Sequence, residues 1–258
     1  MHPVLFELGN WPVYSYGVLL AIAYLAGLQM AVVRAKRVGV DAAKVMDFGI
    51  YLIIAALVGA KLMLVVVDFS YFRHNPLELL ALAGAGGVFY RGLIGAVVVG
   101  LVLVRRYQLS IWSTGDLMAP GIALGHVIGR IGCLMAGCCY GRPTTMKWGI
   151  TFTDPMAAIN VGTPLGIPLH PTQLYDAGAE LLILGALIAT ERKGKPFAGR
   201  TFWVYLLLYA ISRFIIEFFR GDDARGIVFN ALSTSQVVSI AIVPISLFML
   251  WRLRARAN

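Results

Sequence analysis

Long apolar segments recur along the whole of this sequence and constrain its fold more than any other feature. Seven of them, each about 20 residues long, are separated by charged residues, prolines and glycines. A helix of roughly 20 residues crosses a hydrocarbon core of about 30 Å. Because the chain is 59% hydrophobic and only 14% charged, we predict an all-α integral membrane protein. A single polytopic domain, 1–258, is expected to contain spans at 14–33, 46–67, 87–104, 115–137, 170–190, 199–219 and 233–251.

The basic residues between these segments predict the orientation of the chain, because Lys and Arg are retained on the cytoplasmic side. Thirteen of them follow the first, third, fifth and seventh segments, whereas five lie in the other loops. The N-terminus is therefore expected outside and the C-terminus in the cytoplasm. The opening residues MHPVLFELGNWPVY lack the basic region and cleavage site of a secretory signal, so the first span is expected to stay in the mature chain.

The outward loops and the net charge indicate which partners the chain could bind. The segments 68–86 and 138–169 are rich in turn residues, and we expect them to form an outward-facing loop region that covers a site. The net charge of +9 does not indicate nucleic acid, because the basic residues lie between apolar segments and not in a patch interleaved with aromatic residues. We expect membrane lipids as partners and no nucleic acid.

Ionisable residues inside the spans are the first candidates for a site, because they are costly at membrane depth. Arg213 and Glu217 are four residues apart, so one helical face carries both, either as a structural ion pair or as a pair that directs Arg213 to a phosphate. His126 and Arg130 have the same spacing. Two guanidinium groups in such a setting are suited to bind the phosphate of a lipid headgroup.

The three cysteines, Cys133, Cys138 and Cys139, follow the arginine of the fourth segment. Their C-x4-C-C spacing has neither a second C-x2-C pair nor a nearby histidine pair, which are typical of zinc sites. We therefore expect buried, inert thiols that are dispensable for chemistry, with no metal and no cofactor.

The segment GRIGCLMAGCCYG, residues 129–141, resembles the signature G-R-x-G-N-F-x-N-x-E-x-x-G of bacterial prolipoprotein diacylglyceryl transferases. The stretches WPVYSYG, GGVFYRGLIG, LHPTQLYDAGAE and SRFIIEFFR resemble further family motifs, in the family's order. The resemblance implies a seven-span enzyme of the bacterial inner membrane, with its N-terminus, its outward loop region and its site on the periplasmic side. It further implies transfer of the diacylglyceryl group of phosphatidylglycerol to the lipobox cysteine of a preprolipoprotein, with release of glycerol phosphate.

The resemblance also assigns residues. Arg130 matches the signature arginine, Arg213 and Glu217 match the family's essential arginine and its companion carboxylate, and Tyr16 matches the tyrosine of the first span. Glycines of the signature are matched by Gly129, Gly132 and Gly141. Five positions differ from the family pattern: Cys133 and Ala136 replace asparagines, Cys138 replaces the glutamate, Tyr90 replaces a histidine found in many members, and Arg91 replaces a glycine.

These assignments predict a site in which Arg130 and Arg213 stabilise the charge that grows on the departing phosphate. The proton acceptor for the attacking thiol is left open among His126, His170, Glu217, Tyr16 and Tyr90. The residues expected to bind substrate are Arg130, Arg213, Gly129, Gly132, Gly141, Arg91, Gln173 and Tyr175.

Two alternative functions are carried forward. One is a noncatalytic, lipid-binding paralogue, and the other is an anion transporter or channel that uses the two arginines as its anion site. Acyl-chain preference, substrate paths and oligomeric state are left open.

Overall fold

The computed structural model describes residues 1–9, 11–74, 89–192, 197–222, 226–228 and 232–257. Within these ranges most residues are helical, which confirms the predicted all-α class. The helices in the described part of the chain are α1 Ser15–Arg37, α2 Ala42–Val67, α3 Phe69–His74, α4 Phe89–Arg106, α5 Ile111–Ala136, α6 Pro155–Val161, α7 Thr172–Arg192, α8 Arg200–Glu217 and α9 Thr234–Ala257.

Short antiparallel strand pairs lie between the helices. The pairs in the described residues are β1 Val4–Leu8 with β2 Trp11–Tyr14, β3 Ile150–Thr151 with β4 Pro168–Leu169, and β5 Ile227–Val228 with β6 Leu232–Ser233.

The outward segment predicted at 138–169 is a structured insertion. It contains β3, α6 and β4, and Asp154 begins α6 by accepting a hydrogen bond from the Met156 amide at 2.9 Å. Gly162, with φ of +69°, ends α6 in the left-handed conformation that favours glycine. Of the other predicted loop, 68–86, only the part up to residue 74 is described, and it forms α3.

Five helices in the described residues are long and apolar enough to cross a membrane. They are Ser15–Arg37, Ala42–Val67, Ile111–Ala136, Thr172–Glu191 and Thr234–Ala257. The chain is thus a multi-span membrane protein, as predicted. Two further helices of 18 residues, α4 and α8, coincide with the third and sixth predicted spans.

The chain divides into two compact units. The first comprises Met1–Ala31 and Gly115–Asn258. Its core is formed where α5, α7 and α8 meet, with Ala123, Leu187 and Tyr205 among the buried side chains. Helices α1 and α5 approach closely at Gly27, where an added Cβ would lie 2.6 Å from the Gly121 carbonyl oxygen. Small residues at such crossings let the backbones of membrane helices come into contact.

The second unit, Val32–Thr114, is built around α2 and α4. These two helices also pack through glycine. An added Cβ would lie 2.9 Å from the Ala56 oxygen at Gly92 and 2.7 Å from the Ala55 oxygen at Gly95. No side chain larger than hydrogen fits at that separation without a shift of the backbone, so these glycines fix how closely the pair packs.

The start of α8 is completed by a side chain of another helix. The preceding residue, Gly199, has φ of +94° and provides no side-chain cap. Asp116 of α5 instead accepts hydrogen bonds from the amides of Gly199 at 2.6 Å and Phe202 at 2.8 Å. Its carboxylate thereby does what an N-cap side chain normally does for its own helix.

Candidate functional site

Two pairs of ionisable side chains face each other across α5 and α7. His126 Nδ1 lies 2.7 Å from Glu180 Oε1, and Arg130 Nε lies 3.2 Å from Asp176 Oδ2. Within each helix the two partners are four residues apart and therefore share a face. Both carboxylates are buried, with Asp176 only 4% and Glu180 only 2% exposed. The structure confirms that His126 and Arg130 lie on one helical face and adds the acids that they meet.

The imidazole of His126 lies between Arg130 and Glu180. Arg130 Nε donates to His126 Nε2 at 3.1 Å, while Nδ1 faces the carboxylate of Glu180. An arginine can only donate, so Nε2 is the acceptor nitrogen. The contact with Arg130 therefore sets the tautomer of the neutral ring, and Nδ1 is the nitrogen that lies next to Glu180.

Arg213 and Glu217 form the ion pair that their spacing predicts, with Nη2 of the arginine 2.5 Å from Oε2 of the acid. The arginine is 7% exposed, and its Nη2 also donates to Ser235 Oγ at 3.3 Å. Its Nη1 is buried and has no hydrogen-bond partner among the described residues. A buried guanidinium nitrogen without an acceptor is costly, and it marks a place where an anionic group would be stabilised.

A third arginine belongs to the same set. Arg220, just beyond α8, makes a bidentate pair with Asp222, at 2.9 Å from Nε and 2.8 Å from Nη2. Its Nη1 lies 3.7 Å from Asp176 Oδ2, so Asp176 lies between two arginines. Burial raises the pKa of Asp222 above its usual range, and the attraction of Arg220 opposes that shift.

The ion pairs form one electrostatic unit, because Glu217 interacts with Arg220, Asp176 and Arg130 as well as with Arg213. We call it the charged cluster: His126, Arg130, Asp176, Glu180, Arg213, Glu217, Arg220 and Asp222.

Sequence reasoning did not assign Arg220 and Asp222 to the site, because they lie outside the apolar segment. A signal was present, since Arg220 lies three residues after Glu217 and continues the face that carries Arg213.

The segment after α5, residues 137–141, is held against the start of α7. Gln173 Nε2 donates to the Cys138 oxygen and Thr172 Oγ1 to the Cys139 oxygen, both at 2.7 Å. Gln173, predicted to bind substrate, therefore supports this segment, while its Oε1 has no partner among the described residues. The three cysteine sulfur atoms lie within 4.8 Å of one another. Their spacing in the sequence did not predict this clustering. The expectation of buried thiols is correct for Cys133 but wrong for Cys138 and Cys139, which lie beyond the end of α5 and are partly exposed.

The signature glycines have different surroundings. Gly141 packs against backbone, since an added Cβ would overlap the His170 oxygen and lie 2.8 Å from the Phe219 oxygen. Gly132 faces α1, where an added Cβ would lie 3.5 Å from Tyr16 Cδ2. At Gly129 nothing lies within 4 Å of an added Cβ. Close packing thus explains two of the three glycines, and open space surrounds the one that precedes Arg130.

A groove of about 430 Å³ lies beside the N-terminal end of α7. His170 Nδ1 lies 3.1 Å from the Tyr175 hydroxyl, which accepts a hydrogen bond from Trp148 Nε1 at 2.9 Å. The predicted residues His170 and Tyr175 are thus brought together in an aromatic setting, whereas His126 lies in the charged cluster. The side chains of Tyr90 and Arg91, also predicted, lie outside the described residues. The groove is lined by Met146, Trp148, His170, Tyr175, Ile216 and Phe219.

Comparison with known proteins agrees with the motifs. The family model described as prolipoprotein diacylglyceryl transferase matches residues 3–252. The phosphatidylglycerol–prolipoprotein diacylglyceryl transferase of Clostridium tetani is 36% identical over 249 residues, which is 96% of each chain. A second enzyme of that name from Clostridium perfringens is 32% identical over 243 residues, covering 94% of this chain and 92% of the relative. This chain therefore belongs to the prolipoprotein diacylglyceryl transferase family and is a transferase.

Proposed function

We propose that this transferase moves the diacylglyceryl group of phosphatidylglycerol to the thiol of the lipobox cysteine in a preprolipoprotein. In this reaction a bond forms between sulfur and a glycerol carbon, the bond from that carbon to the phosphate oxygen breaks, and glycerol phosphate departs with the electron pair. The relatives carry phosphatidylglycerol and prolipoprotein in their names. The observation that carries the proposal is the buried Arg213, whose Nη1 lacks an acceptor among the described residues.

In this proposal Arg130 and Arg213 bind the phosphate of phosphatidylglycerol. Arg213 is buried, Arg130 is only partly exposed, and both already pair with a carboxylate, so each guanidinium is held in one orientation before substrate arrives. Charge that develops on the departing phosphate is stabilised by donors that are already in place. Asp176, between Arg130 and Arg220, acts as a positioning residue for both arginines.

Among the candidate proton acceptors, we propose His126. Its Nδ1 lies 2.7 Å from a carboxylate oxygen of Glu180, and its Nε2 accepts from Arg130 in the absence of substrate. When Arg130 turns its N–H groups to a phosphate, Nε2 becomes available to take the thiol proton. Glu217 is already paired with Arg213, and His170 contacts Tyr175 in the aromatic groove. Neither residue therefore combines a carboxylate on one side with an arginine donor on the other, as His126 does.

We further propose seven spans in the bacterial inner membrane, with α4 and α8 as the third and sixth. The N-terminus is outside, the C-terminus is in the cytoplasm, and the charged cluster faces the periplasmic side. The asymmetry of thirteen basic residues against five supports this orientation. Reporter fusions should all report cytoplasm at Arg37, Arg106, Lys195 and Asn258. A periplasmic signal at any one of these positions would contradict the topology.

The activity is tested with protein purified in detergent, phosphatidylglycerol and a peptide that contains a lipobox. We expect glycerol phosphate to be released and the peptide to gain the mass of a diacylglyceryl group. A peptide with serine in place of the cysteine should give neither product. Folded protein that modifies no peptide would overturn the proposal, and the same protein in liposomes that carries phosphate across the bilayer would favour the anion-transport alternative.

A further inference from the structure

The three cysteines, which the sequence predicted to be inert thiols without a metal, form a cluster that has no role in the mechanism described above. Cys133, Cys138 and Cys139 are the only cysteines of the chain, none of them is in a disulfide, and their sulfur atoms all lie within 4.8 Å of one another. Thiolates that bind one zinc ion at about 2.3 Å in tetrahedral geometry lie roughly 3.8 Å from each other. A small contraction would therefore bring all three to bonding distance of one ion.

The backbone around these sulfur atoms is held in an unusual conformation. Gly137 has φ of +79° and Cys139 has φ of +61°, a left-handed conformation that is uncommon for a residue with a side chain. Two side chains of α7, Thr172 and Gln173, hold the carbonyl groups of Cys139 and Cys138. Such a conformation persists where the surroundings enforce it, and it occurs preferentially at functional sites.

The charge of the surroundings suits a metal bound by thiolates. Zinc with three thiolates carries one net negative charge, which is costly at membrane depth unless it is compensated. Arg130 and Arg220 both interact electrostatically with Cys139 and supply that compensation. The residues present therefore fit a soft divalent ion in ligand type, number and charge.

We propose that Cys133, Cys138 and Cys139 bind one zinc ion through three thiolates and leave a fourth position open to the thiol of the substrate. The second half of this proposal rests on the proposed function. Cys133 follows Arg130 by three residues and shares its helical face, so the ion lies beside the proposed phosphate site. Two of these cysteines stand where the family signature has asparagine and glutamate, so the site is a property of this chain and not of the signature.

The chemistry of the open position follows from the reaction. A thiol that binds zinc gives up its proton, which His126 accepts, and arrives as a thiolate. The thiolate sulfur attacks the glycerol carbon, and the carbon–oxygen bond to the phosphate breaks as that oxygen takes the electron pair. The product is a thioether, a weaker ligand than a thiolate, so it leaves the ion.

Metal binding is tested on the purified protein after treatment with a chelator. Cobalt(II) serves as the probe, since its thiolate charge-transfer absorption reports sulfur ligands, and zinc should displace it at one ion per chain. The variants Cys133→Ser, Cys138→Ser and Cys139→Ser should each weaken binding by more than the roughly 10–100-fold that loss of an outer-shell partner costs. Tyr140→Phe is the matched control, because it alters the same segment, keeps every thiol and should bind like the wild type.

Two results would overturn the metal site. One is equal cobalt binding by a variant in which all three cysteines are serine, with its thermal unfolding checked to show that it is folded. The other is a disulfide in protein isolated from membranes, seen as fewer than three free thiols after denaturation with a chelator and before reduction.

The open position is tested by adding the lipobox peptide to the cobalt-loaded protein without phosphatidylglycerol. The cysteine peptide should intensify the charge-transfer absorption by adding a fourth sulfur, and the serine peptide should not. An unchanged spectrum would overturn the open position. Because no lipid is present, this result is independent of whether the transfer reaction occurs.

Discussion

Two helix pairs of this protein make different kinds of contact: α5 with α7, and α2 with α4. The first pair shares an apolar core with α8 and in addition brings together ionisable side chains, His126 with Glu180 and Arg130 with Asp176. The second pair meets through Gly92 and Gly95, where the backbones come within reach of each other. Buried ion pairs add little stability compared with well-packed apolar contacts. Charges retained at membrane depth therefore point to chemistry, whereas the glycine contacts point to packing.

This difference gives an expectation for mutants. Changes in the charged cluster should lower the rate in protein that still folds, and changes at the glycine contacts should lower stability in protein whose folded fraction still reacts. The predictions below test that separation.

The largest effect is expected at His126. Replacing it with asparagine removes the proposed proton acceptor and should slow transfer by roughly 10²–10⁴-fold, with normal accumulation in the membrane. Glu180→Gln should slow transfer less, because Glu180 only orients the ring. In the double variant the two losses should not add, since Glu180 acts through His126. Fully additive losses in the measured rates would contradict that dependence.

Arg130→Lys and Arg213→Lys come next. An ammonium keeps the charge but cannot hold phosphate in the bidentate manner of a guanidinium. Each variant should lose roughly 2–4 kcal/mol of transition-state stabilisation, about two to three decades in rate. Arg105→Lys, an exposed arginine at the end of α4, is the matched control and should react like the wild type. Retention of more than about a tenth of the rate by both variants, a loss below roughly 1.4 kcal/mol, would return the two arginines to a structural role.

Glu217→Gln should be milder than either lysine variant if the carboxylate only orients Arg213. The amide keeps the shape of the side chain and can still accept from the guanidinium. The comparison is made from kcat and KM for phosphatidylglycerol at saturating peptide. A loss as severe as that of Arg213→Lys would identify Glu217, instead of His126, as the proton acceptor.

The smallest effect on rate is expected at Gly95. Valine there would place side-chain atoms against the Ala55 oxygen and should destabilise the fold by about 1–3 kcal/mol, as overpacking does. The transfer rate per folded molecule should stay near the wild-type value. Gly185→Val on α7 is the control, because nothing lies within 4 Å of an added Cβ there. Thermal unfolding in detergent measures the difference in stability between the two variants. A Gly95 variant that is stable but inactive would contradict the assignment of the glycine contacts to packing and of the charged cluster to chemistry.

The sequence predicted the helices well because hydrophobic length depends only on neighbours along the chain. The fourth span was expected at 115–137, and α5 is Ile111–Ala136. It also predicted the Arg213–Glu217 pair, since helical spacing fixes such contacts. It did not predict which acids Arg130 and His126 meet, because those partners lie on α7 and their positions depend on how the helices pack.

Other features depended on backbone conformation that no spacing rule provides. The cysteine cluster requires left-handed residues at Gly137 and Cys139, which bring together sulfur atoms that a straight helix would separate. The segment 138–169 contained turn residues, but these did not predict that β3, which precedes α6, pairs with β4, which follows it.

The carboxylate of Asp116 has a consequence for how the chain is made. It completes the first turn of α8, whose amides come 83 and 86 residues later in the sequence. During synthesis α5 leaves the ribosome well before α8 does, so the cap is supplied by a helix that is already made when its partner appears. The accepting carboxylate on α5 is thereby synthesised before the amides that donate to it. The first turn of α8 is complete only when α8 lies beside α5.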